Sequence, residues 1–164
     1  MADGSALPRF KRALIDKVNA RGGYAGTYES PTNRADVYGP DGAGVGIWFK
    51  DEATASLGVT VATGGPHWFD ESLELTVIVQ ALGITTSDDQ ETVDQRATSA
   101  LGDVIAILAG DPTAGLAVVN ADMQIYAATP TGWVYVGGDL GASLRAASFE
   151  LALELTSRIQ LENP

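Results

Sequence analysis

The chemistry available to this chain is narrow. It has no cysteine and a single histidine, His67. Disulfides, thiolate metal sites and cysteine nucleophiles are therefore excluded, and one imidazole is left as a candidate base. That imidazole sits in His67-Trp68-Phe69-Asp70-Glu71, beside two carboxylates. A hydrolase built there would need a nucleophile activated by the imidazole and oriented by an acid, yet no Gly-x-Ser-x-Gly elbow occurs. A metal site would need more nitrogen or sulfur donors than one histidine supplies. The plainer reading of this stretch is a turn leading into a strand, with the aromatic pair covering a sheet edge or a neighbouring subunit.

The glycine-rich run Gly39-Pro40-Asp41-Gly42-Ala43-Gly44-Val45-Gly46 invites comparison with a phosphate loop. Phosphate loops follow a strand and open a helix whose N-terminus holds the anion. Here the glycines precede a strand, and no Gly-Lys-Ser/Thr occurs, so a loop or hairpin tip is expected. Asp88/Asp89 and Glu150/Glu154 read as helix-end charge and a solvated strand face, and nothing promotes either pair to glycosidase chemistry. Trp48, Trp68 and Trp133 could stack bases, but without Lys or Arg around them they read as core or interface groups. The sequence thus favours no enzyme, no cofactor and no metal.

Charge points the same way. The 164 residues carry a formal charge of −11, which repels nucleic-acid phosphates. Residues 1–50 hold seven Lys/Arg against five acids, a net +2, and the remainder holds three Arg against sixteen acids, a net −13. A solvated acidic surface accounts for this. A head-to-tail contact between one copy's basic end and the next copy's acidic side would also use it. No apolar run approaches a bilayer span, so no membrane partner is expected. The start lacks the order of a signal peptide, so synthesis in the cytoplasm is expected.

The elements that would position these groups follow from periodicity. Thr86–Pro112 reads as one amphipathic helix, with Val93, Ala97, Ala100, Leu101, Val104 and Leu108 on one face. Ser87 and Gln90 suggest a capping box, and Gly110-Asp111-Pro112 a stop. Leu7–Asn19 reads as a first helix with Leu7, Phe10, Leu14, Ile15 and Val18 inward and Pro8 in its first turn. Residues 24–46 read as a loop with at most a short strand at Ala35–Tyr38. Strands are expected at Val45–Lys50, Ala53–Val61 and Trp68–Ile84, with a turn over residues 62–66. The last of these turns from polar to apolar on its second face, as if entering a more enclosed place. Further strands are expected at Thr113–Val119, Met123–Ala128 and Trp133–Val136, with turns at Thr129–Gly132 and Gly137–Asp139. Ser143–Ile159 fits a strand better than a helix, because alternation from Phe149 to Thr156 places every large apolar residue on one face. The expected fold is α+β, one domain over residues 1–164: a mostly antiparallel sheet with two helices on one face. Residues 1–6 and 161–164 are expected to be flexible.

The order of these pieces resembles the tail terminator, or tail completion, family of long-tailed bacteriophages. The residues that carry the likeness are Leu7–Asn19, Gly39–Gly46, Gly46-Ile47-Trp48-Phe49-Lys50-Asp51, the alternating Glu71–Ala81, Glu91–Pro112 ending in Leu108-Ala109-Gly110-Asp111-Pro112, and Arg145–Arg158. The resemblance implies a protomer that assembles as a hexameric ring on the end of a finished tail tube. Such a ring stops tube polymerisation and offers a head-joining surface to a head-completion or connector protein. Genomic DNA would pass its channel without specific binding, and the ring would sit at the head-proximal end of the virion tail. Alternatives are another ring of the phage neck, a tube-forming paralogue, an accessory binding module, or a small acidic hydrolase using His67. Intersubunit contact is expected in residues 24–46, 53–68 and Gly132–Asp139, with Arg34, Trp68, Phe69 and Trp133 as the first interface candidates.

Overall fold

A single 21-residue helix, α3 (Gln90–Gly110), lies across one face of a sheet and buries Val93, Ala97, Ala100, Leu101, Val104 and Leu108, the stripe its periodicity predicts. The computed structural model describes residues 4–32, 35–38, 43–60, 67–116, 118–120 and 123–161. In chain order the elements are α1 (Leu7–Arg21), β1 (Ala25–Thr27), α2 (Ala35–Tyr38), β2 (Gly44–Phe49), β3 (Thr54–Thr60), β4 (His67–Ile84), α3, β5 (Val118–Asn120), β6 (Met123–Leu140) and β7 (Leu144–Leu161). The sheet order is β1-β2-β4-β7-β6-β5, and β3 joins β4 alongside β2. Every pairing is antiparallel except β1 with β2. This is the expected α+β fold.

α1 and α3 share a face and enclose the main core. Phe10, Leu14, Ile15 and Val18 of α1 meet Ile47 and Phe49 of β2, and the helix-side rows of β4 and β7 (Leu73, Leu75, Val77, Val79; Phe149, Leu151, Leu153, Leu155) complete it. The Phe10 and Phe49 rings meet edge to face at 6.4 Å. The two helices are joined at their ends by polar contacts: Arg21 to Asp103 at 2.9 Å and Lys17 to Asp111 at 3.1 Å. The Tyr24 hydroxyl also donates to Asp103. On the opposite face a small second cluster gathers Val37, Tyr38, Trp48, Leu82 and Ala146. It is the enclosed place that the apolar end of the β4 pattern predicted.

Several boundaries differ from expectation. α3 begins at Gln90, not Thr86, because both aspartates before it are engaged. Asp89 is the N-cap, accepting from the Thr92 amide at 2.8 Å. Asp88 closes the preceding turn, accepting from the Ile84 amide at 3.0 Å and from Arg96 at 2.9 Å. The Ser87–Gln90 capping box therefore does not form. Ala35–Tyr38 is one helical turn, not a strand, and this lets the consecutive residues Val37 and Tyr38 both bury against Trp48. A short strand, Ala25–Thr27, occupies part of the expected 24–46 loop. The expected strand at Thr113–Val119 shrinks to Val118–Asn120, because Ala114 (φ 51°) and Gly115 (φ 83°) turn the chain left-handed.

The largest difference is β6. Two expected strands with a turn at Thr129–Gly132 are one 18-residue strand that shifts register against β7 at Ile125/Ala127 and at Pro130/Gly132. A proline is tolerated there because it stands at a bulge. Gly137–Asp139 continues the strand, and the turn falls at residues 141–143, with Gly141 at φ 71°. β7 runs as a single strand, as its alternation predicts. Of the termini expected to be flexible, Ser5 and Ala6 are hydrogen-bonded to Glu71 and Ala6 is fully buried, while Leu161 is the last residue of β7. Residues 1–3, 162–164 and the turn at 62–66 (apart from that expectation) lie outside the described residues.

Candidate interaction site

β4 separates the two acids of the His67–Glu71 stretch, because successive strand residues face opposite ways. Asp70 points to the face away from α1 and α3 and holds Arg158 through two hydrogen bonds, 2.8 and 3.1 Å. Those bonds from the guanidinium hold its carboxyl below the usual carboxylate range. Glu71 points to the helix side, where it is 4% exposed. Its Oε1 accepts from the Ala6 amide at 3.0 Å, the Ser5 hydroxyl at 2.9 Å and the Ser157 hydroxyl at 3.4 Å. α1 has no side-chain cap of its own at Ala6, so Glu71 serves as its cap from 65 residues away. The two carboxylates cannot converge on one substrate. The His67 side chain lies outside the described residues.

The face away from α1 and α3 is acidic along its middle. Glu74 stands directly opposite Glu154 across the β4–β7 ladder, and Glu150 is opposite Ile78. Ser72 donates to Glu154 at 3.2 Å, and Lys50 approaches Glu150 at 3.8 Å. A shallow cleft of about 370 Å³ opens here, lined by Lys50, Glu52, Glu74, Thr76, Thr131 and Glu154 among others. Like charges placed directly opposite on a ladder oppose folding, so this row does not arise from stability alone. Among the described residues, no group of three or more His, Cys, Asp or Glu side chains is placed to hold a metal ion. No described helix is long and apolar enough to cross a membrane.

The most unusual surface is the far half of β6, Thr131–Leu140. Among the described residues β5 pairs with β6 at Met123 and Gln124 and the Ala128 amide donates to the Pro112 carbonyl, so from Thr131 on β6 is a sheet edge. Along it Trp133 (56% exposed), Val134 (60%), Tyr135 (40%), Val136 (61%) and Leu140 (40%) are uncovered. On the helix side, Trp133 and Tyr135 both lean on Phe149, at 5.1 and 5.4 Å between ring centres. The Tyr135 hydroxyl donates to Asp94 of α3 at 2.6 Å, and that bond pushes its pKa up. Val134 and Val136, which alternate with them, face the other way. At the opposite side of the sheet, β3 is also an edge, and its Leu57 is 61% exposed.

The four interface candidates fall in four different settings. Trp133 is on the exposed β6 edge. Phe69 is 7% exposed and belongs to the main core, so it fills its own protomer. Trp68, one residue earlier, is half-buried on the other face of β4. Arg34 lies outside the described residues. The expected contact stretches Gly132–Asp139 and 53–68 include Val134, Tyr135, Val136 and Leu57, none of which was named individually, and Leu140 lies one residue beyond the first stretch. Their signal was present: Trp133–Val136 is apolar on both faces with no polar alternation, a pattern of strands covered on both sides.

Compared with known proteins, the chain matches no family model and no curated protein sequence.

Proposed function

We propose that this chain is a structural subunit of a phage tail, a tail terminator that works by self-association and not by catalysis. In this reading it caps the tail tube as a ring, a hexamer, at the head-proximal end of the virion tail. The ring stops tube polymerisation and presents the surface that a head-completion or connector protein joins. The observation that carries the reading is the uncovered β6 edge. Large apolar side chains open to water on both faces of an edge strand are a liability that monomeric proteins avoid. A subunit whose edge is covered only in an assembly has no such constraint.

Two further features support it. The resemblance in element order spans most of the chain. The face away from α1 and α3, with Glu74, Glu150 and Glu154 along it, suits a channel wall past which genomic DNA slides without adhering, since carboxylates repel phosphate.

The test is tube assembly. Tail tube protein from the same genome, polymerised with the purified chain, should give tubes that stop growing and carry density at one end in negative-stain electron microscopy. Tubes that grow to the same lengths with and without the chain, with bare ends, overturn the reading. A neck connector subunit would leave tube growth unaffected and bind finished heads.

A further inference from the structure

We infer that copies of this chain join by antiparallel pairing of the far half of β6 in one copy with β3 of the next. The inference deepens the ring reading by naming the two surfaces that meet, and it stands on four observations.

Both segments are open edges, and they lie at opposite sides of one sheet. Each therefore presents a row of backbone N–H and C=O groups that no strand among the described residues pairs with. Strand direction fits as well. β3 is antiparallel to β4, β4 to β7, and β7 to β6. β3 and β6 thus run in opposite senses, so a copy in the same orientation meets another with an antiparallel ladder once it is slid along the strands. Within one copy β3 is level with Met123–Thr129, and the far half of β6 is level with β2.

Charge fits third. In a chain of net −11, β3 (Thr54–Thr60) carries no charged residue. Thr131–Leu140 carries only Asp139, which is matched by Arg145 of its own copy at 3.3 Å. Native edges that must stay single are protected by lysines or other charges, and these two are not. Size is the fourth. The β6 edge offers Trp133, Val134, Tyr135 and Val136, whereas among the described side chains of β3, those of residues 54–58, Ala55, Ser56 and Gly58 are small and Leu57 is the large one. Bulky residues on one edge find room over small ones on the other. Two different edges make a heterologous contact, which propagates head to tail and closes into a ring when the rotation allows. A two-fold β6–β6 dimer, by contrast, would leave β3 open.

Two edge-blocked variants test the joint. Ser56→Lys/Gly58→Lys charges β3, and a side chain at Gly58 meets nothing within 4 Å. Val134→Lys/Val136→Lys charges β6 at two side chains already about 60% exposed. Neither pair removes a core contact, and matching thermal melts confirm that each variant folds. In sedimentation velocity and native mass spectrometry, wild type should form assemblies larger than a dimer as concentration rises to about 1 mM, the weak end of specific association. Each variant alone should remain at the 17.0 kDa monomer mass. Mixed one to one, the two variants should form a heterodimer of twice that mass and nothing larger, since one intact joint remains. A mixture that stays monomeric overturns the inference. So does a β3-blocked variant that still associates like wild type, which would mean β6 pairing with β6, and so does a wild type monomeric throughout. Association as expected together with uncapped tubes refutes the terminator reading and leaves this joint intact.

Discussion

Glu71→Ala should be among the most damaging single substitutions in this protein, although Glu71 could be mistaken for part of a catalytic pair. Its carboxylate caps α1 across 65 residues of sequence, with bonds of 3.0 Å to the Ala6 amide and 2.9 Å to the Ser5 hydroxyl and a longer contact to Ser157. An N-cap contributes about 1 kcal/mol, and a buried hydrogen bond to a charged group about 1.5–3 kcal/mol. The alanine variant leaves the Ala6 amide and the buried Ser157 hydroxyl without this partner and opens space beside Ala6, so the loss should be about 3 kcal/mol. At about 2–4 °C per kcal/mol for a chain of this length, the thermal midpoint should fall by roughly 6–12 °C. Glu71→Gln keeps an acceptor in place and should cost about 1 kcal/mol, largely the favourable interaction of charge with the α1 N-terminus. Urea titration followed by far-ultraviolet circular dichroism measures both, and amide exchange should show α1 opening first in the alanine variant. An alanine variant within about 0.5 kcal/mol of wild type, the range of ordinary surface changes, refutes the capping role. Equal losses for alanine and glutamine refute the assignment of the larger share to the acceptor.

The remaining predictions concern how α1 and α3 are seated. Gly83→Ala should destabilise by about 1–3 kcal/mol through overpacking, because the added methyl carbon would lie 2.5 Å from a Val93 methyl and 2.8 Å from the Asp88 β-carbon; urea titration checks it. Burial and then the bond to Asp103 raise the Tyr24 phenol from 10.0 to about 12. The folded state therefore holds that proton where the unfolded chain has released it, and stability should fall as pH rises from 10 towards 12. Tyr24→Phe should remove this alkaline loss in pH-dependent melts, and wild type should show a tyrosinate step near pH 12 in absorbance at 295 nm.

How far the fold was legible depended on whether a signal was local. The α3 stripe, the β4 alternation and the Phe149–Thr156 alternation are each complete within one element, and all three stand as read. The readings that failed needed information from elsewhere in the chain. Thr129-Pro130-Thr131-Gly132 has the composition of a turn, but β7 runs past it as an unbroken template and holds it in the sheet. Asp88 and Asp89 both had the chemistry of a cap, and only the β4–α3 turn decides which one serves. Glu71 could not be assigned from its neighbours, because its partners are 65, 66 and 86 residues distant. The interface candidates were chosen by residue type, which does not tell an exposed aromatic such as Trp133 from a core one such as Phe69.

The two register shifts in β6 have an evolutionary corollary. Each adds one unpaired residue and so inverts which side of the sheet the following side chains occupy; together they cancel, and Trp133 and Tyr135 return to the side of Met123 and Ile125. Losing Thr131 alone would remove its bulge and regularise the ladder, leaving Gly132 opposite Ala152 and Trp133 opposite Leu151, so the distal strip would keep its orientation. The same holds for Tyr126, between the pairs Ile125–Ser157 and Ala127–Thr156. The two bulges are thus the places where descendants of this sequence can shorten β6 by a single residue without turning its outer rim over.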